Sequence, residues 1–364
     1  MLAGGTIESF REQARWCDRL GSPLYAELLA RAADDVARGG LLAGIVDGWQ
    51  GRPMADALPL RLFGGVHRLV LAGEAPELAR HYPSAGGHPR WPDCWAAFLR
   101  VVETRRAEVC AALHRQVQTN EVQRSGLLLG GFLAVAHRTG LPLRLLEIGS
   151  SAGLNLLWDQ YRYAFVAAPP EMPADPNAPV AHRWGDPRAV VAIRIAWHGA
   201  GGILARSATV ASRAGCDLAP VDVHDDGAVR GLESFVWADQ PHRLAQLRAA
   251  VWAARTHPLE IRRQSAADWI AVQLEAGVPD IATLVFHSIM WMYLSDDERR
   301  RVTALLERAG ARASPRAPLA WLRCEFVATA VCDLRLTVWP TGEERTLAIV
   351  DPHGRWVRWT AGED

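Results

Sequence analysis

The chain has 364 residues, 49% of them apolar, enough to bury the core of one large domain or two ordinary ones. Its 40 basic and 40 acidic side chains cancel to a net charge of zero, and the basic ones are spread along the chain, so no polyanion-binding surface and no nucleic-acid partner is expected. All the basic residues are arginine, which excludes chemistry built on a lysine amine: a Schiff base, a pyridoxal phosphate anchor or the lysine of a phosphate-binding P-loop. The six cysteines, Cys17, Cys94, Cys110, Cys216, Cys324 and Cys332, form no C-x-x-C pair and no cluster with metal spacing. They read as small buried hydrophobes in a reducing cytosol, with no metal expected. Residues 1–15 lack the basic and apolar regions of a signal peptide, and no apolar run is long enough to cross a bilayer; the expectation is a cytoplasmic protein without a membrane partner.

Residues 7 to about 140 read as helical. Phe10, Ala14 and Cys17 share one face of a first helix. Leu24, Leu28, Ala32 and Val36 share one face of a second, which starts at Ser22-Pro23 and ends at Gly39-Gly40. The loops Phe63-Gly64-Gly65 and Ser84-Ala85-Gly86-Gly87 punctuate the region. A long helix follows Trp91-Pro92 with Trp95, Phe98, Leu99, Val102, Val109 and Leu113 on its apolar stripe, and another runs from about Glu121 to Arg138, stopping at Gly140.

At Leu143 the pattern changes. Leu143, Leu145, Leu146 and Ile148 form a short apolar run that stops at Gly149, and helical spacing resumes after Gly153: strand, glycine turn, helix. Residues 169–188, rich in Pro, Asp and Ala, read as a long loop. Strands are predicted at 190–197, 281–286, 319–323, 334–339 and 346–350, with helices at about 240–255 and 296–309. Alternation of this kind implies a mostly parallel sheet. Leu334, Leu336 and Val338, the turn Pro340-Thr341-Gly342, then Leu347 and Ile349 make a terminal hairpin, so the sheet is expected to carry an antiparallel edge.

The segment Glu147-Ile148-Gly149-Ser150-Ser151-Ala152-Gly153 carries the functional argument, because glycines at a strand-to-helix turn let the backbone approach a ligand and face it with free N–H groups. Three readings compete. The dinucleotide fingerprint G-x-G-x-x-G fails, with Ser151 and Leu154 in glycine positions. The nucleophile elbow G-x-S-x-G matches Gly149–Gly153, with Asp333 or Asp351 and His353 following in hydrolase order, but everything upstream reads as helix where an elbow needs earlier strands. The acidic-x-G-x-G-x-G turn of class I methyltransferases fits Glu147, Gly149 and Gly153, with Ser151 in place of the middle glycine.

The downstream order also resembles that of class I S-adenosylmethionine-dependent methyltransferases. Gly215-Cys216-Asp217 resembles their second strand with its ribose-binding acid. Ile261 to Asp268 resembles the third strand and its adenine-side Asp, and Leu284-Val285-Phe286-His287-Ser288 resembles the fourth. The gap between Gly153 and Asp217 is long for that family and requires an insertion at about 165–210. Nearly end to end, the chain also resembles an uncharacterised bacterial family of unknown function. That likeness rests on Gln118 to Arg124, Leu146 to Leu156, Gly215 to Val223 and Pro352-His353-Gly354.

These resemblances imply a doubly wound, Rossmann-like α/β domain over 141–364 with a C-terminal antiparallel hairpin, preceded by a helical region over 1–140 acting as a lid. They imply S-adenosylmethionine as cofactor, methyl transfer to a small-molecule acceptor, and a cofactor set of Glu147, Gly149, Ser151, Gly153, Asn155, Asp217 and Asp268. Buried Glu147 needs a partner, either a ligand amine or Arg124. Asn120 and Arg124 are expected on the substrate side, and His287, then Glu121, are the candidate bases. A serine hydrolase using the Gly149–Gly153 elbow, and a cofactor-binding protein without catalysis, are the alternatives.

Overall fold

The computed structural model describes residues 4–328 and 331–362. Helices α1 (Gly4–Arg19), α2 (Pro23–Ala37), α3 (Leu41–Val46), α4 (Leu58–Leu71), α5 (Pro76–Ala79), α6 (Asp93–Thr104), α7 (Arg106–Leu113) and α8 (Ser125–Thr139) lead to strands β1 (Leu143–Ile148), β2 (Arg162–Ala167), β3 (Val180–Trp184), β4 (Ala192–His198) and β5 (Val210–Asp217). Then come α9 (Asp226–Ser234), α10 (Pro241–Thr256), β6 (Glu260–Arg263), α11 (Ala266–Gln273), β7 (Ala282–Ser288), α12 (Asp296–Gly310), β8 (Leu319–Ala328), β9 (Val331–Trp339), β10 (Glu343–Val350) and β11 (Trp356–Trp359). No strand precedes Leu143 among the described residues.

The chain divides into two compact units, Met1–Thr119 with His224–Arg248, and Asn120–Val223 with Ala249–Asp364. The first unit is helical. Its core gathers Phe10, Tyr25, Phe63 and Phe98, with the Tyr25–Phe63 and Phe63–Phe98 rings 5.4 and 5.0 Å apart. Asp239 ties the later segment in: its carboxylate accepts from the Ser22 hydroxyl and, at 2.9 Å, from the Leu24 N–H at the start of α2. Two expectations change here. Phe63-Gly64-Gly65 is no loop but the middle of α4, where a β-carbon on Gly64 would strike Phe235 and one on Gly65 would strike Ala112; the glycines admit close neighbours. The helix after Trp91-Pro92 is broken at Arg105 (φ −115°), because Glu103-Thr104-Arg105-Arg106 interrupts the apolar stripe and Arg105 turns outward to Glu74 and Glu108.

The second unit is a mixed α/β layer around one sheet of eleven strands in the order β3-β2-β4-β11-β10-β9-β8-β7-β1-β5-β6. Five of these, β6-β5-β1-β7-β8, are mutually parallel. The chain places β5 and β6 on one side of β1 and then returns to lay β7 and β8 on the other, so the strand order reverses at β1. Helix α8 covers one face of this part, where Phe132 meets Phe286 with ring centroids 5.1 Å apart; α11 and α12 cover the other through Trp269, Ile270, Val302 and Leu306.

Helix α8 is buried nearly all round, as its continuous apolar sequence requires. A β-carbon on Gly126 would come within 3.0 Å of Ile193 in β4, one on Gly130 within 2.6 Å of Trp359 in β11, and one on Gly131 within 2.6 Å of Leu322 in β8. Strands from distant parts of the sheet therefore close on one helix at its glycines. This is why α8, read from the sequence as part of a 1–140 region, packs within the second unit, and why it begins only at Ser125, after a 3-10 turn over Val122–Arg124.

Three further expectations are corrected. The stretch 169–188 is not a loop throughout: β3 lies inside it and pairs with β2, which is itself a parallel neighbour of β4. The terminal hairpin β9–β10 is not an edge, because β11 continues the sheet and pairs with β4; the edges are β3 and β6. The segment after Gly153 forms 3-10 turns over Leu154–Gln160 rather than an α-helix. Side chains take the carbonyls a helix would use: Tyr161 donates to Leu154 O at 2.6 Å, Arg213 to Leu156 O at 2.9 Å and Tyr163 to Trp158 O at 2.8 Å.

Gly130→Val should lose about 1–3 kcal/mol of stability, since the added methyls meet the Trp359 ring and the core cannot open for them. Gly5→Ala, with nothing within 4 Å of the new methyl, should be neutral or stabilising. Urea midpoints of the two variants check the pair.

Candidate functional site

Where the strand order reverses, the carboxyl ends of the parallel strands leave a crevice in which open α/β sheets hold their ligands. β1 ends there in Glu147-Ile148, and the backbone turns through Gly149 (φ +68°), Ser151 (φ +55°) and Gly153 (φ +73°). Ser151 is a non-glycine residue in left-handed backbone, a strain of roughly 1–2 kcal/mol that its surroundings must hold. They do so through Asp217 at the end of β5. Its Oδ2 accepts from the Ser151 N–H at 2.9 Å and its Oδ1 from the Ala219 N–H at 2.8 Å, while Val221 N–H donates back to Ser151 O at 3.2 Å.

The segment before α8 is stitched to the same turn. Asn120 Oδ1 accepts from Leu154 N–H at 3.0 Å, and the Asn155 amide donates to Glu121 O at 3.4 Å. Arg124 donates from Nε to Pro352 O at 2.8 Å and from a terminal nitrogen to Ser288 O at 3.2 Å, joining the chain after β10 to the end of β7. Glu121 accepts the Gln123 N–H at 3.3 Å.

Glu147 stands in the middle of this set and is 3% exposed. Its Oε2 has no hydrogen-bond partner, and the same holds for Ser151 Oγ and Asn155 Oδ1. Burial first, and then the negative charge of Asp217, push the Glu147 carboxyl well above the usual range, with Arg124 pulling weakly the other way. Arg124 is spent on carbonyls, so the expected Glu147–Arg124 pair is not a hydrogen-bonded one. A buried carboxyl in this condition accepts a cationic or hydrogen-bond-donating group from a ligand.

His287 and Asp268 are placed differently. In the β1–β7 register Glu147 lies beside Phe286, so His287, one residue on, projects from the opposite face. There it is fully buried, stacked on Trp291 with centroids 5.0 Å apart, with Nδ1 2.6 Å from Glu325 Oε1 and Nε2 unpartnered. Asp268 lies in the first turn of α11, where Ser265 caps its N–H and Arg301 pairs with its carboxylate at 2.6 Å, lowering its pKa. No contact ties it to the glycine turn. Ser151 Oγ, without a hydrogen bond, lacks the histidine a nucleophile elbow requires.

Two residues escape a reading of the sequence. Glu325, in β8, also accepts the Met290 and Trp291 N–H groups at 3.1 and 3.3 Å and so organises the turn after β7. Met290 lies where a β-carbon on Gly149 would go, within 3.0 Å. The run Ile289-Met290-Trp291-Met292-Tyr293, apolar yet with Met292 and Tyr293 more than half exposed, is the signal that marks this turn as part of a crevice wall. Among the described residues no group of three or more His, Cys, Asp or Glu side chains is gathered as a metal requires, and no helix is long and apolar enough to cross a membrane.

The protein is thus a mixed α/β protein with a large, mostly parallel sheet and a group of buried polar side chains at its strand reversal. It belongs to the family described as an uncharacterized protein conserved in bacteria (DUF2332), which matches residues 7–359. No curated protein and no solved structure matches the chain.

The charge state of Glu147 gives a pH signature. Below the ordinary carboxyl value of 4.5 both folded and unfolded chains hold the proton, and the full stability is present. Between that value and the raised folded one, only the folded chain keeps it, so stability falls as pH rises, by up to about 1.4 kcal/mol per pH unit. Glu147→Gln should remove this slope, matching wild type near pH 4 and exceeding it at pH 8 in urea denaturation. Identical pH profiles would show that Glu147 is already compensated.

Proposed function

We propose that the second unit binds S-adenosylmethionine in the crevice at β1, β5 and β7 and transfers its methyl group to a small-molecule acceptor. The observation that carries this reading is the buried, unpartnered Glu147 carboxyl at the end of β1, beside a left-handed glycine turn that Asp217 pins from the neighbouring strand. The five parallel strands add support: numbered along the chain among themselves they run 3-2-1-4-5, as in a Rossmann-like methyltransferase sheet, with six further strands continuing beyond β8.

The residues fit the cofactor's parts. Glu147 Oε2 takes the amino acid ammonium, whose charge makes ionisation of the buried carboxyl favourable. Asp217, at the end of the neighbouring strand, brings a carboxylate of the kind that pairs with ribose hydroxyls. Gly149, lacking a β-carbon, lets the backbone come close. When bound, S-adenosylmethionine supplies an electrophilic sulfonium methyl, and the protein's task is to place an acceptor in line with it. His287, the candidate base in the sequence, lies on the opposite face of β7, fully buried against Trp291, so with Glu325 it holds the turn after β7 rather than meeting an acceptor beside Glu147. Glu121 and Asn120 position the turn, since they already serve Gln123 and Leu154.

Calorimetry with S-adenosylhomocysteine tests the reading, with NAD as comparison. Wild type should bind the former and not the latter. Asp217→Ala should weaken binding by about 1.5–3 kcal/mol, the loss of hydrogen bonds to a charged group, and Gly149→Val should abolish it. Binding of NAD instead, or S-adenosylhomocysteine bound equally by all three proteins, would remove the assignment. A protein that binds S-adenosylhomocysteine but never transfers a methyl group is the non-catalytic alternative.

A further inference from the structure

The strands β2, β3 and β4 carry a feature the cofactor reading does not use. Their cross-strand register sets Ala164 of β2 beside Arg183 of β3 on one side and beside Arg194 of β4 on the other. Directly opposed residues share a face of the sheet, and Arg162, two residues before Ala164, shares it too. Three arginines from three adjacent strands therefore surround one alanine, and Ala192, opposite Arg162, is a second small residue on the same floor. These residues line a cavity of about 580 Å³, together with Arg206 from the 3-10 turn that follows β4.

No acid lines that cavity. Of the acids beside the lining, Asp186 is taken up by Arg188 through two hydrogen bonds of 3.1 and 2.9 Å, and Asp175, whose carbonyl Arg194 reaches, accepts the Asn177 N–H on Oδ1 at 2.8 Å. Arg162 and Arg194 bond only to backbone carbonyls, those of Pro187 for the first and of Asp175 and Ala178 for the second. Arg194 Nε is buried and has no partner. Four guanidiniums without a counter-charge repel one another, and a buried unsatisfied N–H on a charged group costs at least about 1–3 kcal/mol. In a chain whose formal charge is zero, this is a local excess that a bound anion relieves.

We infer that this cavity binds the phosphate groups of a phosphorylated small molecule. A single carboxylate brings one charge and two oxygens. A phosphate brings about two charges and three strong acceptor oxygens, a diphosphate more, and arginine forks match their geometry. The cavity is larger than one phosphate needs and falls in the usual range of small-ligand sites of about 300–1,000 Å³, so the anion belongs to an organic molecule. The site is separate from the Glu147 crevice, and the inference does not depend on S-adenosylmethionine being the ligand there.

The test is calorimetry on the full-length chain with pyrophosphate as probe, at ionic strength fixed with sodium chloride. Wild type should bind pyrophosphate saturably and citrate at least about fivefold more weakly. The double variant Arg162→Ala/Arg183→Ala, at two exposed positions without carboxylate partners, should bind at least about thirtyfold more weakly, and Arg183→Gln alone about fivefold. Asp217→Ala should bind pyrophosphate within about twofold of wild type. No saturable heat with pyrophosphate, or equal binding by wild type and Arg183→Gln, would overturn the inference. Loss of S-adenosylhomocysteine binding with pyrophosphate binding intact would separate it from the cofactor reading.

Discussion

The second unit depends on the burial of α8 on every side. An apolar helix in the middle of a sheet protein must be covered all round. Three glycines, Gly126, Gly130 and Gly131, decide how closely strands can do so: β4 and β11 approach at the first two and β8 at the third. Because β9 and β10 separate β8 from the paired β4 and β11, one helix organises both the parallel part of the sheet and its continuation through β9, β10 and β11. It also fixes the crevice. Asn120 to Arg124 run directly into α8, so the packing of the helix determines where Asn120 meets the glycine turn and where Arg124 finds the carbonyls of Ser288 and Pro352.

Within that frame the unit treats buried acids in two ways. Asp351, 1% exposed, is fully compensated: it accepts N–H groups from His353 and Arg355 and is forked by the Arg355 guanidinium at 2.7 Å. Asp217 is likewise held by two backbone N–H groups. These carboxylates shape loops. Glu147 is as deeply placed, yet one of its oxygens meets nothing and its nearest charged neighbours nearly oppose each other. A structural carboxyl would be satisfied or replaced by an apolar residue at no loss. That contrast, more than the glycine pattern alone, sets Glu147 apart from the carboxylates that shape loops.

Much of this was legible in the sequence, for local reasons. The run Leu143–Ile148 closed by Gly149 marks a buried strand and a tight turn, and the alternation from Leu334 to Ile349 marks a hairpin. What stayed hidden is set by register. Glu325 meets His287 only because β8 lies beside β7, with Ser288 opposite Cys324. The strands β2 and β3 escaped notice, unlike β4, expected at 190–197, because their outward positions carry Arg and Ala among prolines and acids, which dilutes the alternation of a half-buried strand. Asp268 is a different case. Ser265-Ala266-Ala267-Asp268 has the spacing of a helix start with its acid in the first turn, and that signature, weighed above the likeness to a third strand, identifies the residue as part of a cap.

Formal charge shows the same gap between list and arrangement. Forty arginines and forty acids, evenly spread, gave no hint of a charged surface. Folding sorts them. Many acids and arginines neutralise each other, as Asp159 and Arg213 do at 2.7 Å. Two places stand out: a carboxyl oxygen without a hydrogen-bond partner at the end of β1, and four arginines lining a cavity that no acid lines around β2 and β4. A zero net charge therefore argues only against long-range attraction of a large polyanion. It leaves room for short-range recognition, because a Debye length of about 8 Å screens one charged cluster from another. With no lysine in the chain, the second site is made wholly of planar forks, which favour oxyanions that can be gripped at two oxygens at once.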